Sequence, residues 1–217
     1  MNKNQHFRRN LSIKAFKFIA FFCWFVVSPL AKAEIDLSKL PNGLYTLDKS
    51  HASIVWKISH LGLSPYVARF TRFDIDLILN TEDLTKSSVS ALIDPASIST
   101  ENKEFDKDLI GKGWFKTEKF PSIRFVSSTY KRSSDNQGKL TGILEMFGVK
   151  KPVEFDVLIG GTVDDHPFIS NSVGIGFTAK TIIKRSDWGF RKFLSAVGDE
   201  VTIEIAAEFS KEKEKED

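Results

Sequence analysis

From residue 44 to residue 209 apolar and polar positions alternate with a period of two, interrupted once by a stretch whose apolar residues recur at helical spacing. Ile54, Trp56 and Ile58 alternate with Ser53, Lys57 and Ser59. Val55 breaks the polar face, and His60 falls on the Trp56 side. A short strand at 44–47 precedes this one, and Asp48-Lys49-Ser50-His51-Ala52 between them reads as a turn. Across 67–79 the apolar side changes parity: Ala68 and Phe70 hold even positions, Phe73, Ile75, Leu77 and Leu79 odd ones. A β-bulge near Thr71-Arg72 would give both halves one interior, as where a strand bends around a barrel. Val89, Ala91 and Ile93 continue the alternation until Asp94-Pro95 stops it.

In 99–110 charged residues surround Phe105, Leu109 and Ile110, an i, i+4, i+5 stripe closed by Gly111. That spacing predicts a short amphipathic surface helix, within an insertion near 100–116. Ile123 and Phe125 resume the strand pattern, and 133–138 is turn chemistry leading to a strand at 139–147. After another short connection Val153, Phe155, Val157 and Ile159 alternate strictly until Gly160-Gly161. Val173, Ile175, Phe177 and Ala179 mark the next strand, and Val201 to Phe209 at odd positions the last. Residues 211–217 read as a frayed, charged tail.

Eight long strands plus the short one, nearly all joined by short connections, imply antiparallel neighbours, since a parallel crossover takes about a dozen residues or more. One helix cannot cover so large a sheet. The expected fold is therefore all-β, an extended antiparallel eight-stranded barrel like a lipocalin, whose interior either fills with side chains or holds one small ligand. A β-sandwich buries the same alternation and stays open as the rival. The bulge signal and the long strands favour the barrel.

The first 33 residues change the picture of charge. Lys3, Arg8, Arg9, Lys14 and Lys17 form a basic region, 18–30 an apolar one too short to span a bilayer comfortably, and Ala31-Lys32-Ala33 a small-x-small cleavage site. A cleavable secretory signal at 1–33 is expected, with a domain at 34–210 and a periplasmic location. The leader carries six basic residues (3, 8, 9, 14, 17 and 32) and no acidic one. Removing these from the 31 Lys and Arg leaves 25 against 28 Asp and Glu, a charge of −3. A mildly acidic chain argues against nucleic acid as a partner. The single cysteine, Cys23, leaves with the leader, which excludes a disulfide framework, a thiolate metal site and a thiol nucleophile from the mature chain.

Several segments carry a resemblance. Asp48-Lys49-Ser50-His51-Ala52 with His60-Leu61-Gly62 resembles the "D-x-x-H-S … H-x-G" opening of the YceI-like family of periplasmic polyisoprenoid-binding proteins, with Ala52 where serine is usual. Residues 91–100 (ALIDPASIST), 120–127 (FPSIRFVS), 140–153 (LTGILEMFGVKKPV) and 185–189 (RSDWG) are similar to further family segments in the same order. The likeness spans roughly 44–209. It implies a lipocalin-like barrel enclosing a tunnel for the isoprenoid tail of a lipid or quinone, with no covalent cofactor. The chain departs from the family at the helix, where Phe105-Asp106-Lys107-Asp108-Leu109 replaces an Arg-Asp-x-His-Leu run, and at Gly113, where an aspartate usually precedes the paired aromatics. These departures affect contacts to a head group at the tunnel mouth more than the apolar interior.

The candidate chemistry is sparse. Asp48 and His51 are spaced to orient a general base, but no nucleophile motif such as G-x-S-x-G accompanies them, so a hydrogen bond around a turn closing the barrel end is the better reading. His60 reads as a hydrogen-bonded barrel histidine and His166 as part of an exposed loop, without metal-ligand spacing. Gly174-x-Gly176 reads as small residues easing close strand packing. Arg185 could meet a diphosphate or a quinone carbonyl, or pair with Asp187 across a tight turn while Trp188 plugs the barrel; the two readings weigh equally. Lys184, Arg185, Arg191 and Lys192 could also attract an anionic membrane surface, against the simpler reading of a solvated face. The expected ligand-binding residues are Ile54, Trp56, Ile58, Phe70, Phe73, Trp114, Phe125, Phe155, Phe177, Arg185 and Trp188. An apolar isoprenoid lipid is the expected partner; a homodimer and a transient membrane contact stay open. The competing functions are a small hydrolase or isomerase using His51 and Asp48, and a structural interaction protein with no small ligand.

Overall fold

Short connections dominate the chain, and every ladder they produce is antiparallel. A computed structural model of the protein describes residues 35–213; the predicted leader and residues 214–217 lie outside them. The elements are β1 (Gly43–His60), β2 (Ser64–Phe70), β3 (Phe73–Leu79), β4 (Ser88–Ile93), β5 (Ile98–Ser99), α1 (Lys103–Ile110), β6 (Ile123–Arg132), β7 (Gln137–Met146), β8 (Val149–Val163), β9 (Ser172–Lys184) and β10 (Val197–Glu212). Strands β1, β3, β4, β6, β7, β8, β9 and β10 are neighbours in that order, and β10 returns to β1 over a long ladder from Thr46↔Ser210 to His60↔Val197. Closure on itself settles the choice against a sandwich. Strands β2 and β5 are additional: β2 pairs the second half of β1, and β5 pairs β2.

The parity changes have a common origin. On β1 the buried side chains are Tyr45 and Leu47 before residue 48, then Ile54 and Ile58 after it. Between Asp48↔Glu208 and Ser53↔Ala206 the register shifts, so the expected turn at 48–52 is a bulge inside one long strand, and the short strand at 44–47 is its beginning. Beside it the expected bulge at Thr71-Arg72 is a break between β2 and β3. A third break, residues 94–97, separates β4 from β5. The second and third interruptions meet: Thr71 and Arg72 donate their N–H groups to the Ser97 hydroxyl at 3.2 and 2.9 Å, and Asp94 N–H donates to Arg72 O at 3.0 Å; the β1 bulge reaches β3 through Lys49 and Asp74, 2.7 Å apart. The sheet bends there as a unit, which keeps one interior on both sides of the bend.

The interior forms two apolar clusters. One half holds Leu40, Tyr45, Leu79, Val173 and Phe209, and the other Ile54, Phe70, Phe125, Phe155 and Trp188. Tyr45 is buried with its hydroxyl donating to Pro41 O at 2.8 Å, and burial pushes its pKa up to about 12. We call the end with the β1–β2 turn, α1 and residues 185–196 the top, and the opposite end the base. Asn102 caps α1 by accepting the Phe105 N–H at 3.2 Å. The helix starts later than the apolar stripe suggested, and its stripe faces inward, with Leu109 buried. Of the tail expected to fray at 211–217, Lys211 and Glu212 instead pair with Val173 and Ser172 in the last ladder of β10, and 214–217 lie outside the described residues.

Candidate functional site: an apolar cavity along the barrel axis

A cavity of about 460 Å³ lies inside the barrel. Packed cores hold few voids larger than a water molecule, roughly 30 Å³, whereas small-molecule sites run from about 300 to 1,000 Å³. The size is therefore that of a ligand site. Its wall extends from Leu84, Ser87 and Tyr130 near the base to His60, Tyr66 and Val197 at the top.

Most of the residues predicted from the strand phase reach this wall. β1 contributes Ile54, Trp56 and Ile58, β2 Phe70, β6 Phe125, β8 Phe155 and β9 Phe177, while Trp114 comes from the segment after α1. Phe125 and Phe155 meet edge to face, 5.2 Å between ring centroids. Phe125 also lies across the neighbouring strand at Gly142, where an added Cβ would come within 2.5 Å of the ring. Glycine is needed there for the close approach.

Three predicted residues behave otherwise. Phe73 is half-buried between the two apolar clusters and lies off the cavity wall. Trp188, 4% exposed, is also off the wall; its indole N–H donates to Leu144 O at 3.2 Å, so it plugs the top of the barrel. Arg185, 2% exposed, borders the cavity, but its guanidinium is turned to the backbone. Nε donates to Gly198 O at 2.7 Å, Nη1 to Phe190 O at 3.0 Å and Lys192 O at 2.8 Å, and Nη2 to Val197 O at 2.8 Å. The expected head-group contact and the expected pairing with Asp187 are both replaced by this mooring of the 189–198 segment. Burial lowers the Arg185 pKa, and the Asp199 charge opposes that. Asp199 is taken by Ser186, through its N–H at 2.9 Å and its hydroxyl at 2.7 Å.

The residues that roof the cavity lie outside the strand phase. Phe105, Leu109, Phe115, Phe147 and Phe190 line it from α1 and from loops. Phe115, Phe147 and Phe190 are mutually within 6 Å between centroids, at 5.9, 5.8 and 5.5 Å. Phe115 also meets Phe70 at 5.8 Å. The inward need of the α1 stripe was a signal for Phe105 and Leu109; loop phenylalanines carry no periodicity to read.

Two residues of this wall carry a buried polar atom without a partner. Trp56 Nε1 and the Tyr130 hydroxyl are buried and have no hydrogen-bond partner among the described residues. Burial raises the Tyr130 pKa. Each is a buried donor without an acceptor, an arrangement that costs free energy.

The Asp48–His51 pair lies elsewhere. His51 Nδ1 is 2.8 Å from Asp48 Oδ2, and Asp48 also accepts the Ser50 N–H at 2.9 Å and the Ser50 hydroxyl. These bonds fold the bulge of β1 rather than close a barrel end. Glu208 stands opposite, with ligand atoms of the three residues within 4.8 Å of one another, and none of them touches the cavity. His60 is exposed at the top rim rather than held inside the barrel. His166 is half-buried in the β8–β9 loop, where it accepts the Ile169 N–H at 3.1 Å. Gly174 does ease packing, since a Cβ there would meet Val163 at 2.8 Å.

A closed eight-stranded antiparallel barrel around an apolar cavity defines a lipocalin-like protein. More narrowly, the YceI-like domain model matches residues 45–209, and the chain belongs to that family. A UPF0312 protein of Pseudomonas putida is 30% identical over 191 residues, covering 87% of this chain and 97% of the relative. Another, from Photorhabdus laumondii, is 32% identical over 163 residues, 75% of this chain and 83% of the relative. The crystal structure of Campylobacter jejuni YCEI protein is similar with a TM-score of 0.64 and 29% identity, over 78% of this chain and 98% of that one. A polyisoprenoid binding domain from Saccharophagus degradans, 11% identical with a TM-score of 0.54 over 78% of this chain and 98% of its own, shares the fold.

Proposed function

We propose that the protein is an exported, periplasmic, non-catalytic binding protein that holds one isoprenoid lipid or isoprenoid quinone non-covalently inside the barrel, for carriage, storage or sequestration. The ligand-sized apolar cavity carries this reading, and membership of a family with a polyisoprenoid-binding neighbour of the same fold supports it. Burial of an isoprenoid tail contributes about 0.8 kcal/mol per methylene equivalent, so ten carbons outweigh a charged hydrogen bond of about 1.5 to 3 kcal/mol. The tail sets affinity. The separation of the Asp48–His51 pair from the cavity supports the non-catalytic reading.

Native mass spectrometry of protein purified from membrane-containing cells is the test. The expected result is a co-purifying prenyl lipid that extracts into organic solvent. Absence of any apolar ligand, together with no binding of an added prenyl quinone, overturns the reading.

A further inference from the structure

The top rim combines exposed apolar side chains with cations in a way the barrel does not need for its own stability. Leu61 and Leu63 stand on the β1–β2 turn at 57% and 82% exposure, and Phe193 and Leu194 on the neighbouring loop at 57% and 40%. The two turns are held together, Leu61 N–H donating to Ala196 O at 2.7 Å. Each is closed internally, by Leu63 N–H to His60 O at 3.0 Å and by Ala196 N–H to Phe193 O at 3.0 Å. Leu61 and Phe193 both adopt left-handed backbone, with φ of 53° and 54°. Bulky apolar residues disfavour that conformation, and a turn built for folding alone would place glycine or asparagine there. Two strained turns thus project large apolar side chains into solvent side by side.

Cations surround them. The top loops 60–64, 111–119 and 189–196 contain Lys112, Lys116, Lys119, Arg191 and Lys192 against the single acidic residue Glu118, while α1 beside them carries Lys103 and Lys107 against Glu104, Asp106 and Asp108, so the positive excess lies on the loops. Lys192 Nζ lies 4.6 Å above the Trp114 ring and 5.0 Å from that of Phe193, which joins charge and apolar surface in one patch. This local excess stands on a chain that is mildly acidic once residues 1–33 are set aside. Apolar tips framed by Lys and Arg match the boundary of a bilayer carrying anionic lipid, where the tips enter the acyl region and the cations stay at the head groups. A second protein copy would bring the same positive charge and would repel.

We propose that the top rim is a docking surface for an anionic phospholipid bilayer, entered by Leu61, Leu63, Phe193 and Leu194 and held by Arg191, Lys192 and Lys112. Resting on the reading of the cavity as an isoprenoid site, docking places its upper wall at His60, Tyr66 and Val197 against the membrane in which such lipids dissolve. A ligand leaving the cavity beside His60, Tyr66 and Val197 would then enter the membrane without crossing water.

The test is flotation of the purified protein, its N-terminus established by mass, with vesicles of phosphatidylethanolamine and phosphatidylglycerol or of phosphatidylcholine alone. Wild type binds the anionic vesicles and releases from them as salt rises. A Leu63→Ser, Phe193→Ser variant binds at least about tenfold more weakly, and Arg191→Glu with Lys112→Glu weakens binding by about fivefold or more for each charge. None of these residues lines the cavity, so both variants keep wild-type affinity for a short water-soluble prenyl quinone. Equal binding of wild type and variants to anionic vesicles, no vesicle binding by wild type, or loss of the vesicle effect through dimer formation in solution overturns docking. Vesicle binding with no quinone binding leaves docking in place and overturns the isoprenoid site instead.

Discussion

His51 and Asp48 form the pair whose chemistry is easiest to measure. The hydrogen bond and charge of Asp48 raise the His51 pKa above its ordinary value, and the bonds from Ser50 and His51 hold Asp48 well below the carboxylate range. For His51 the raised folded value means that its contribution is full below about pH 6.5 and is lost as pH rises through that value. For Asp48 the contribution is present above about pH 3.9 and is lost as pH falls through the depressed value. The bulge is therefore best held in the window between the two. With the His51 side chain 61% exposed, solvent screens the pair and the effect on global stability is small. NMR titration of the His51 ring should give a midpoint above about 6.5, and Asp48→Asn should lower it. A wild-type midpoint at or below the reference would show that the pair does not form in solution. Arg185 makes the contrasting case: it too is a charged residue in a quoted motif, but its partners are backbone carbonyls, which leave no mark in a sequence.

Where the β2–β3 and β4–β5 breaks meet, the strand elements depend on one hydroxyl. Ser97 is 3% exposed and accepts two backbone N–H groups from residues 71 and 72 while donating to Asp94 O at 2.7 Å. On the outer face Arg72 pairs with Asp94 at 2.7 Å. Ser97→Ala leaves buried N–H groups without their side-chain acceptor and should cost about 1 to 3 kcal/mol, whereas Arg72→Ala removes an exposed ion pair and should cost about 1 kcal/mol or less. Urea unfolding of the two variants makes the comparison. If Ser97→Ala is the milder of the two, the hydroxyl does not hold the bend. The parity slip near 71–72 was visible as a pattern, but a bulge and a break produce the same slip. Their difference lies in Ser97, distant by about 25 positions, which an alternation pattern cannot connect.

At the scale of the barrel, two tryptophans with equal claims on the sequence separate. Trp56 faces the cavity, and Trp188 fills the top away from it. Trp188→Ala should lose about 3 to 5 kcal/mol, a large part of the roughly 5 to 15 kcal/mol that stabilises such a domain. Trp56→Ala, widening a cavity that already exists, should cost less and should weaken ligand binding. Prenyl quinone at a hundred times its dissociation constant should add about 2.7 kcal/mol to wild-type stability, to be read by thermal melting with and without ligand. The gain should shrink in Trp56→Ala and persist in any Trp188→Ala protein that folds. Identical wild-type melting with and without quinone, with Trp56→Ala merely lowering both curves, would make Trp56 an ordinary core residue.

Period-two alternation and short connections were enough to determine a large antiparallel sheet buried on one face, because side-chain direction along a strand is local; they favoured a barrel over a sandwich, but the β10–β1 ladder that closes it is seen only in the structure. The same local information placed Ile54, Trp56, Ile58, Phe70, Phe125, Phe155 and Phe177 on the inside. It could not tell wall from plug, since Phe73 and Trp188 are decided by height along the barrel and by what stands across it. The aromatic roof of Phe115, Phe147 and Phe190, the backbone mooring of Arg185 and the meeting of the Leu61 and Phe193 turns all join segments far apart in the chain. Such contacts arise from the register of whole strands, so only the tertiary structure decides them.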